Sequence, residues 1–272
     1  MNIQEIKSKW NYRERDVSAS IEMWDSMANQ FSVYELPTTQ NSSLLKIIKE
    51  KLLINGESEA LDVGCGTGKY SFALANNCKH VTGVDLSPKM IEEAMKNKKA
   101  SSADNIDFYV IDWHAVELEN WRLKNKFDLV IANMTPAVRN AETFMKLTEA
   151  SKGFCIMSKP IKRTDPVSDS IKEMLNIDEK KESADIEMMY AFEILWQQGM
   201  LPELFYEKQI WDMKKTLDDA YKLYANRMKS YRQLTHKEEN EIYNYLKKIS
   251  ENNLVNEKVH TIIATMLWNV NN

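Results

Sequence analysis

The sequence predicts an α/β fold: a doubly wound, mostly parallel sheet of seven strands, with N-terminal helices and a late helical insertion forming a cap. Three observations predict it. Apolar strand-like runs alternate with amphipathic helical stretches between about residue 58 and Pro160, the pattern of a parallel sheet covered on both faces. Right-handed crossovers then wind such a sheet in two directions. Two further strand-like runs near the end, 203–213 and 260–270, bracket helical stretches, as an antiparallel pair at a sheet edge would.

Residues 1–56 read as a helical N-terminal cap segment. Ile3, Ile6 and Trp10 share one face, and Ile21, Trp24, Met27, Ala28 and Phe31 form a second stripe at helical spacing. Pro37 interrupts. Asn41, Ser42 and Ser43 offer caps for a helix carrying Leu44, Leu45, Ile47, Ile48, Leu52 and Leu53, which Asn55-Gly56 would end. Residues 57–160 read as a ligand-binding core. Its candidate strands are Ala60–Val63, His80–Val84, Ile106–Ile111, Phe127–Ala132 and Phe154–Ser158, with helices near 68–77, 87–99, 114–123 and 138–152. Residues 161–272 complete the sheet and carry the cap insertion. A polar linker (161–185) leads to a helix with Met188, Met189, Tyr190, Phe192, Leu195 and Trp196, ended by Gly199 and Pro202. Two helices (216–231 and 235–251) then separate the late strands.

With 43% apolar and 10% aromatic residues the chain can bury a sizeable core. A formal charge of -4 argues against a protein that grips a polyanion over many phosphates. Cys65, Cys78 and Cys155 form no CxxC pair, and the histidines at 80, 114, 236 and 260 show no ligand spacing. Neither a disulfide framework nor a metal site is expected. No secretory leader is read at the start, and runs such as 127–132 and 261–268 are too short to span a bilayer. A cytoplasmic protein with no membrane partner is the expectation.

The strongest motif is EALDVGCGTGKYSFAL, where a buried strand delivers the chain to Gly64, Gly66 and Gly68 and a helix begins at once. Glycine turns of this kind also occur without ligands. Here Asp62 precedes the loop, the next strand ends on Asp85 about twenty residues on, and a third ends on Asp112-Trp113. Any one of these acids could cap a helix; three at successive strand ends argue for a ligand. A dinucleotide pyrophosphate prefers loop amides without a carboxylate beside them, and Lys69 stands where Gly-x-Gly-x-x-Gly needs its third glycine. No nucleoside-triphosphate loop is present. An acid-lined pocket suits a ligand with an amino group, a sulfonium and no phosphate.

On LDVGCGTG and VTGVDLSPKMIEEA the chain resembles the class I S-adenosylmethionine-dependent methyltransferases, closely over about 58–160. The resemblance implies a Rossmann-like core at 57–160 binding S-adenosyl-L-methionine. Its loop Gly64-Cys65-Gly66-Thr67-Gly68 would pass under the methionine and ribose. It implies that Asp85 binds the ribose hydroxyls, Leu86 packs on adenine, and Asp112 accepts from the adenine amino group with Trp113 beside it. Asn133, in FDLVIANMTPAV, would offer its carbonyl to the methionine amino group. The segment WDSMANQF is similar to one that closes over the cofactor in small-molecule members, making Trp24 and Phe31 contact candidates.

Methyl transfer from a sulfonium needs alignment and exclusion of water more than a strong base. His114 could take a proton from an acceptor hydroxyl, or simply start a surface helix; Asn133 is the other catalytic candidate. Asn133-Met134-Thr135-Pro136 departs from the Asn-Pro-Pro-aromatic motif of many amino-group methyltransferases. Thr135, Arg139, Lys159, Tyr190, Trp196, Tyr224 and Arg227 are candidates for the acceptor side, with helix packing or surface charge as the plainer role for most. The expected partner is a small-molecule acceptor and no nucleic acid. The alternatives are an RNA or protein methyltransferase, and a non-catalytic regulatory module that binds S-adenosylmethionine.

Overall fold

The first strand, β1 (Glu59–Val63), follows helices α1 (Ile3–Lys9), α2 (Val17–Ser32) and α3 (Ser43–Glu50). Then come α4 (Lys69–Ala75), β2 (His80–Asp85), α5 (Pro88–Ser101), β3 (Ile106–Val110), β4 (Phe127–Asn133), α6 (Ala141–Ala150) and β5 (Ser151–Thr164). The chain ends with α7 (Pro166–Met174), α8 (Ala184–Gln197), β6 (Glu203–Thr216), α9 (Leu217–Lys229), α10 (His236–Ile249) and β7 (Leu254–Asn269). This computed structural model describes residues 1–11, 16–32, 35–101, 103–177, 184–229 and 231–271.

The seven strands form one sheet in the order β3-β2-β1-β4-β5-β7-β6. β1 pairs in parallel with β2 and β4, β2 with β3, and β4 with β5. Bonds from Val270 N–H to the Gly153 carbonyl and between the Ser158 and Thr265 hydroxyls pair rising with falling residue numbers. β7 is therefore antiparallel to β5. The winding reverses between β1 and β4, and the crevice at the carboxyl ends of those strands is where open α/β sheets bind ligands.

Two units make up the chain. The first comprises Met1–Lys159, Ile186–Tyr206 and Ala264–Asn272. Its strands are apolar on both faces (Ala60, Leu61, Val81, Leu129, Ile131 and Ile156 are all buried), and α3, α4 and α5 cover them. The second comprises Pro160–Asp185 and Glu207–Ile263. Its core joins Val167 and Ile171 of α7, Leu217, Tyr224 and Met228 of α9, and Ile242 and Leu246 of α10.

Three sequence expectations change. The helix expected near 114–123 is a series of turns. Its buried residues Val116, Leu118 and Leu123 lack helical spacing, and Arg122 is left-handed at φ +53°. The linker expected at 161–185 holds the end of β5 and all of α7; its residues 178–183 lie outside the described residues. The helix expected to run to Asn55-Gly56 stops at Glu50, because Leu52 turns left-handed at φ +53° and Leu53 N–H closes onto the Ile48 carbonyl at 3.1 Å. Leu52 points outward, 84% exposed. A left-handed position after a helix favours glycine, so Leu52→Gly should stabilise the fold by about 1 kcal/mol, or a few degrees in Tm. An unchanged or lower melting temperature would refute this account of the helix end.

Candidate functional site

Everything at the site follows from how β1 ends. Asp62 is its penultimate residue, only 3% exposed, and accepts the Ser71 hydroxyl of α4 at 2.7 Å. The chain then turns sharply: the N–H groups of Gly64 and Cys65 both donate to the Val84 carbonyl at 2.8 and 3.0 Å. Gly64 holds φ +71°, and a Cβ there would lie 1.9 Å from Thr135 Oγ1. The loop after β4 thus lies directly against the glycine loop. Gly68 is left-handed at φ +90° and starts α4, where a Cβ would come 2.7 Å from Phe108 Cζ.

Asp85 ends β2 and is held on both oxygens. Gly66 N–H donates to Oδ2 and Ser87 N–H to Oδ1, each at 2.9 Å. Each oxygen keeps a further lone pair for a ligand. Asp112 follows β3; its Oδ1 accepts His114 N–H at 3.1 Å, and its carbonyl accepts from Ala115 and Val116. Trp113 is buried, its indole N–H donating to the Thr143 carbonyl at 2.9 Å. After Asn133, Met134 takes a left-handed φ of +54°, pinned by its N–H to the Ser158 carbonyl at 2.9 Å.

These strand ends surround a cavity of about 300 Å³. Its lining includes Asp62, Gly64, Cys65, Gly66, Asp85, Leu86, Asp112, Trp113, His114, Asn133 and Thr135, together with Trp24 and Phe31 of α2. Lys69 is the one lysine or arginine in that lining among the described residues. Burial pushes the Asp62 carboxyl up to about 7, against the lowering bond from Ser71 and with a smaller push from the Asp85 charge. Burial also raises Asp85, opposed by N–H donors from Ser87, Gly66 and Leu86. Burial and the Asp62 and Asp85 charges push the Cys65 thiol well up, so it stays neutral.

Of the residues expected to hold the cofactor, Gly68 alone falls outside the lining; its space is taken by Phe72 and Phe108. Six of the acceptor candidates do not line the cavity either. Tyr190 packs on Trp10, 6.1 Å between centroids, and Trp196 stacks on Phe192 at 6.0 Å while 59% exposed. Tyr224 lies in the core of the second unit with its hydroxyl 2.5 Å from Glu257 Oε2, and Arg227 there faces Asp165 at 3.8 Å. Arg139 donates to the Pro136 carbonyl at 2.8 Å, and buried Lys159 bonds the Val138 carbonyl and Glu187; both brace the loop after β4. Tyr70, Met90 and Ile111 line the cavity without having been singled out in sequence, and Lys69, noted there only for replacing a dinucleotide glycine, lines it too. Their places beside the motif acids on strand and helix ends were the available signal.

A family model described as a methyltransferase domain matches residues 54–251. The chain belongs to this family. The chain is similar, at 16% identity and TM-score 0.52, to phosphoethanolamine N-methyltransferase 2 of Haemonchus contortus solved with S-adenosyl-L-methionine, over 95% of this chain and 60% of that one. At TM-score 0.50 and 16% identity it is similar to a Bacillus halodurans C-125 protein assigned as a methyltransferase, over 84% and 99% of the two chains. In sequence it is 30% identical over 118 residues to the 23S rRNA (uracil(1939)-C(5))-methyltransferase of Colwellia psychrerythraea, 43% of this chain and 25% of that protein. The match to mouse tRNA (uracil-5-)-methyltransferase homolog A covers 28% and 12%. The chain thus spans a quarter or less of these RNA-modifying relatives.

Among the described residues no helix is long and apolar enough to cross a membrane, and no three His, Cys, Asp or Glu side chains are placed to hold a metal ion.

Proposed function

We propose that the chain is a class I methyltransferase that binds S-adenosylmethionine in the cavity at the carboxyl ends of β1, β2, β3 and β4 and passes the methyl group to a small-molecule acceptor. The observation that carries the binding site is the pair of carboxylates on the cavity wall, buried Asp62 and half-buried Asp85, both raised by burial. Their ionised forms are costly in an apolar setting unless a cation arrives. A ligand with ammonium and sulfonium groups supplies one, and a pyrophosphate would add to the repulsion. When bound, S-adenosylmethionine supplies a methyl carbon already activated on its sulfonium.

The chain's own residues have distinct tasks in this reading. Asp85 accepts the ribose hydroxyls on its remaining lone pairs, and Leu86 packs against adenine. Asp112 accepts from the adenine amino group, and Trp113, fixed through Thr143, walls that end. Asn133 offers its carbonyl to the ammonium, with Asp62 balancing the positive charge behind it. Trp24 and Phe31 cover the cofactor and exclude water. Residues 1–56 serve as an N-terminal cap segment beside the core at 57–160. Met134, Thr135, Pro136 and Ala137 form the part of the lining left for the acceptor. His114, also in the lining, is the candidate to take a proton from an acceptor hydroxyl.

The small-molecule reading is supported by the size of the cavity, its apolar and aromatic wall and its single lysine. A nucleic-acid acceptor calls for several cations along a groove. The test is a methylation screen with radiolabelled S-adenosylmethionine, offering pooled metabolites in one arm and total rRNA and tRNA in the other. Label is expected in the metabolite arm. Label confined to RNA would overturn the acceptor assignment, and no transfer in either arm despite tight cofactor binding would favour a regulatory module.

A further inference from the structure

Helix α2 lies across the cavity and is fastened at two points. Thr67 Oγ1, in the glycine loop, donates to the Phe31 carbonyl at the end of α2 at 2.8 Å. The other fastening is Asp25, one residue from Trp24. Its Oδ1 accepts the Ser87 hydroxyl at 2.5 Å and the Lys89 N–H at 3.2 Å. These are bonds to the first turn of α5, whose opening N–H groups have no partner within their own helix. Ser87 Oγ itself accepts the Met90 N–H at 3.1 Å. A carboxylate from one helix thus completes the cap of another, where the helix dipole favours negative charge.

Ser87 also ties this cap to the cavity. It is fully buried; its N–H holds Asp85 Oδ1 at 2.9 Å while its hydroxyl holds Asp25. One residue therefore bridges the cavity acid and the covering helix. We infer that Asp25 is a positioning residue, a latch that holds α2 closed over the bound cofactor through Ser87 and sets how slowly the spent cofactor leaves. The inference rests on the cofactor site proposed above. α2 fully buries Ala28 alone among its described side chains, while Ile21, Trp24 and Met27 are half-buried. A helix with one fully buried side chain and polar bonds at both the glycine loop and the start of α5 suits a cover that opens each turnover.

The test uses the full chain with Asp25→Ala and Asp25→Asn, and two readouts. Stopped-flow release of S-adenosylhomocysteine should quicken about tenfold or more in Asp25→Ala, with a smaller change in Asp25→Asn, which keeps an acceptor but not the charge. Hydrogen exchange in the ligand-free protein should quicken within residues 17–32, while β1 and β4 keep their protection. Unchanged release with binding intact would overturn the latch and leave the cofactor site standing. Faster exchange throughout β1 and β4 as well would reduce Asp25 to a general support of the fold and also overturn it. If the wild type binds no S-adenosylhomocysteine, the cofactor reading falls and the latch falls with it, even where exchange in 17–32 responds.

Discussion

Asp85→Ala is expected to weaken S-adenosylmethionine binding by at least about a hundredfold, because it removes two charge-assisted bonds worth about 1.5–3 kcal/mol each. The loss has a second source in the structure. Gly66 N–H and Ser87 N–H both end on this carboxylate, so alanine also unties the glycine loop from the start of α5. Asp85→Asn keeps an acceptor oxygen for one of the two amides and should lose less affinity. Calorimetric titration of the three proteins checks the order. An alanine variant within threefold of wild type would show that ribose does not sit on Asp85.

Asp62→Asn should stabilise the ligand-free protein at pH 8 and weaken the cofactor complex at the same pH. Burial holds the Asp62 carboxyl at about 7 in the fold, against 3.8 for the ordinary group. A raised carboxyl favours the folded state while protonated, so its contribution is whole below about pH 4 and is lost as pH climbs to about 7. Above that, the wild type carries a buried charge costing on the order of 4 kcal/mol relative to the neutral side chain. Asparagine can still accept the Ser71 hydroxyl and escapes the cost. The variant's gain in Tm should be near zero at pH 4 and largest at pH 8. A cationic ligand draws the proton off Asp62, so wild-type affinity should rise up to about tenfold per pH unit until pH 7, then level. A pH-independent gap in Tm between the two proteins would contradict the buried-charge account.

The acids at the strand ends were legible because each element that places them is local. An apolar run, a glycine turn and a helix start within a few residues carry Asp62, Asp85 and Asp112 to one edge of the sheet. Asp25 was not legible: on an amphipathic helix it reads as one more solvated acid, and its partner lies 62 residues away in Ser87. Thr135 against Gly64 is equally non-local, since it depends on β4 pairing beside β1. The left-handed turns at Leu52 and Arg122 ended or prevented helices where no glycine or proline announced it. Tyr224 and Arg227 share a helix face as their spacing indicates, but helical spacing says nothing about whether a face meets a ligand or, as for Tyr224, a core.

The central claim is that an acid-lined cavity selects a cationic, phosphate-free adenosyl ligand. Calorimetric titration of the wild-type chain at pH 8 with S-adenosylmethionine and, separately, with NAD tests it most directly. The account predicts one-site binding of S-adenosylmethionine in the micromolar range, about −8 kcal/mol, and no measurable heat with NAD. Binding of NAD in preference to S-adenosylmethionine, or of neither, would contradict it.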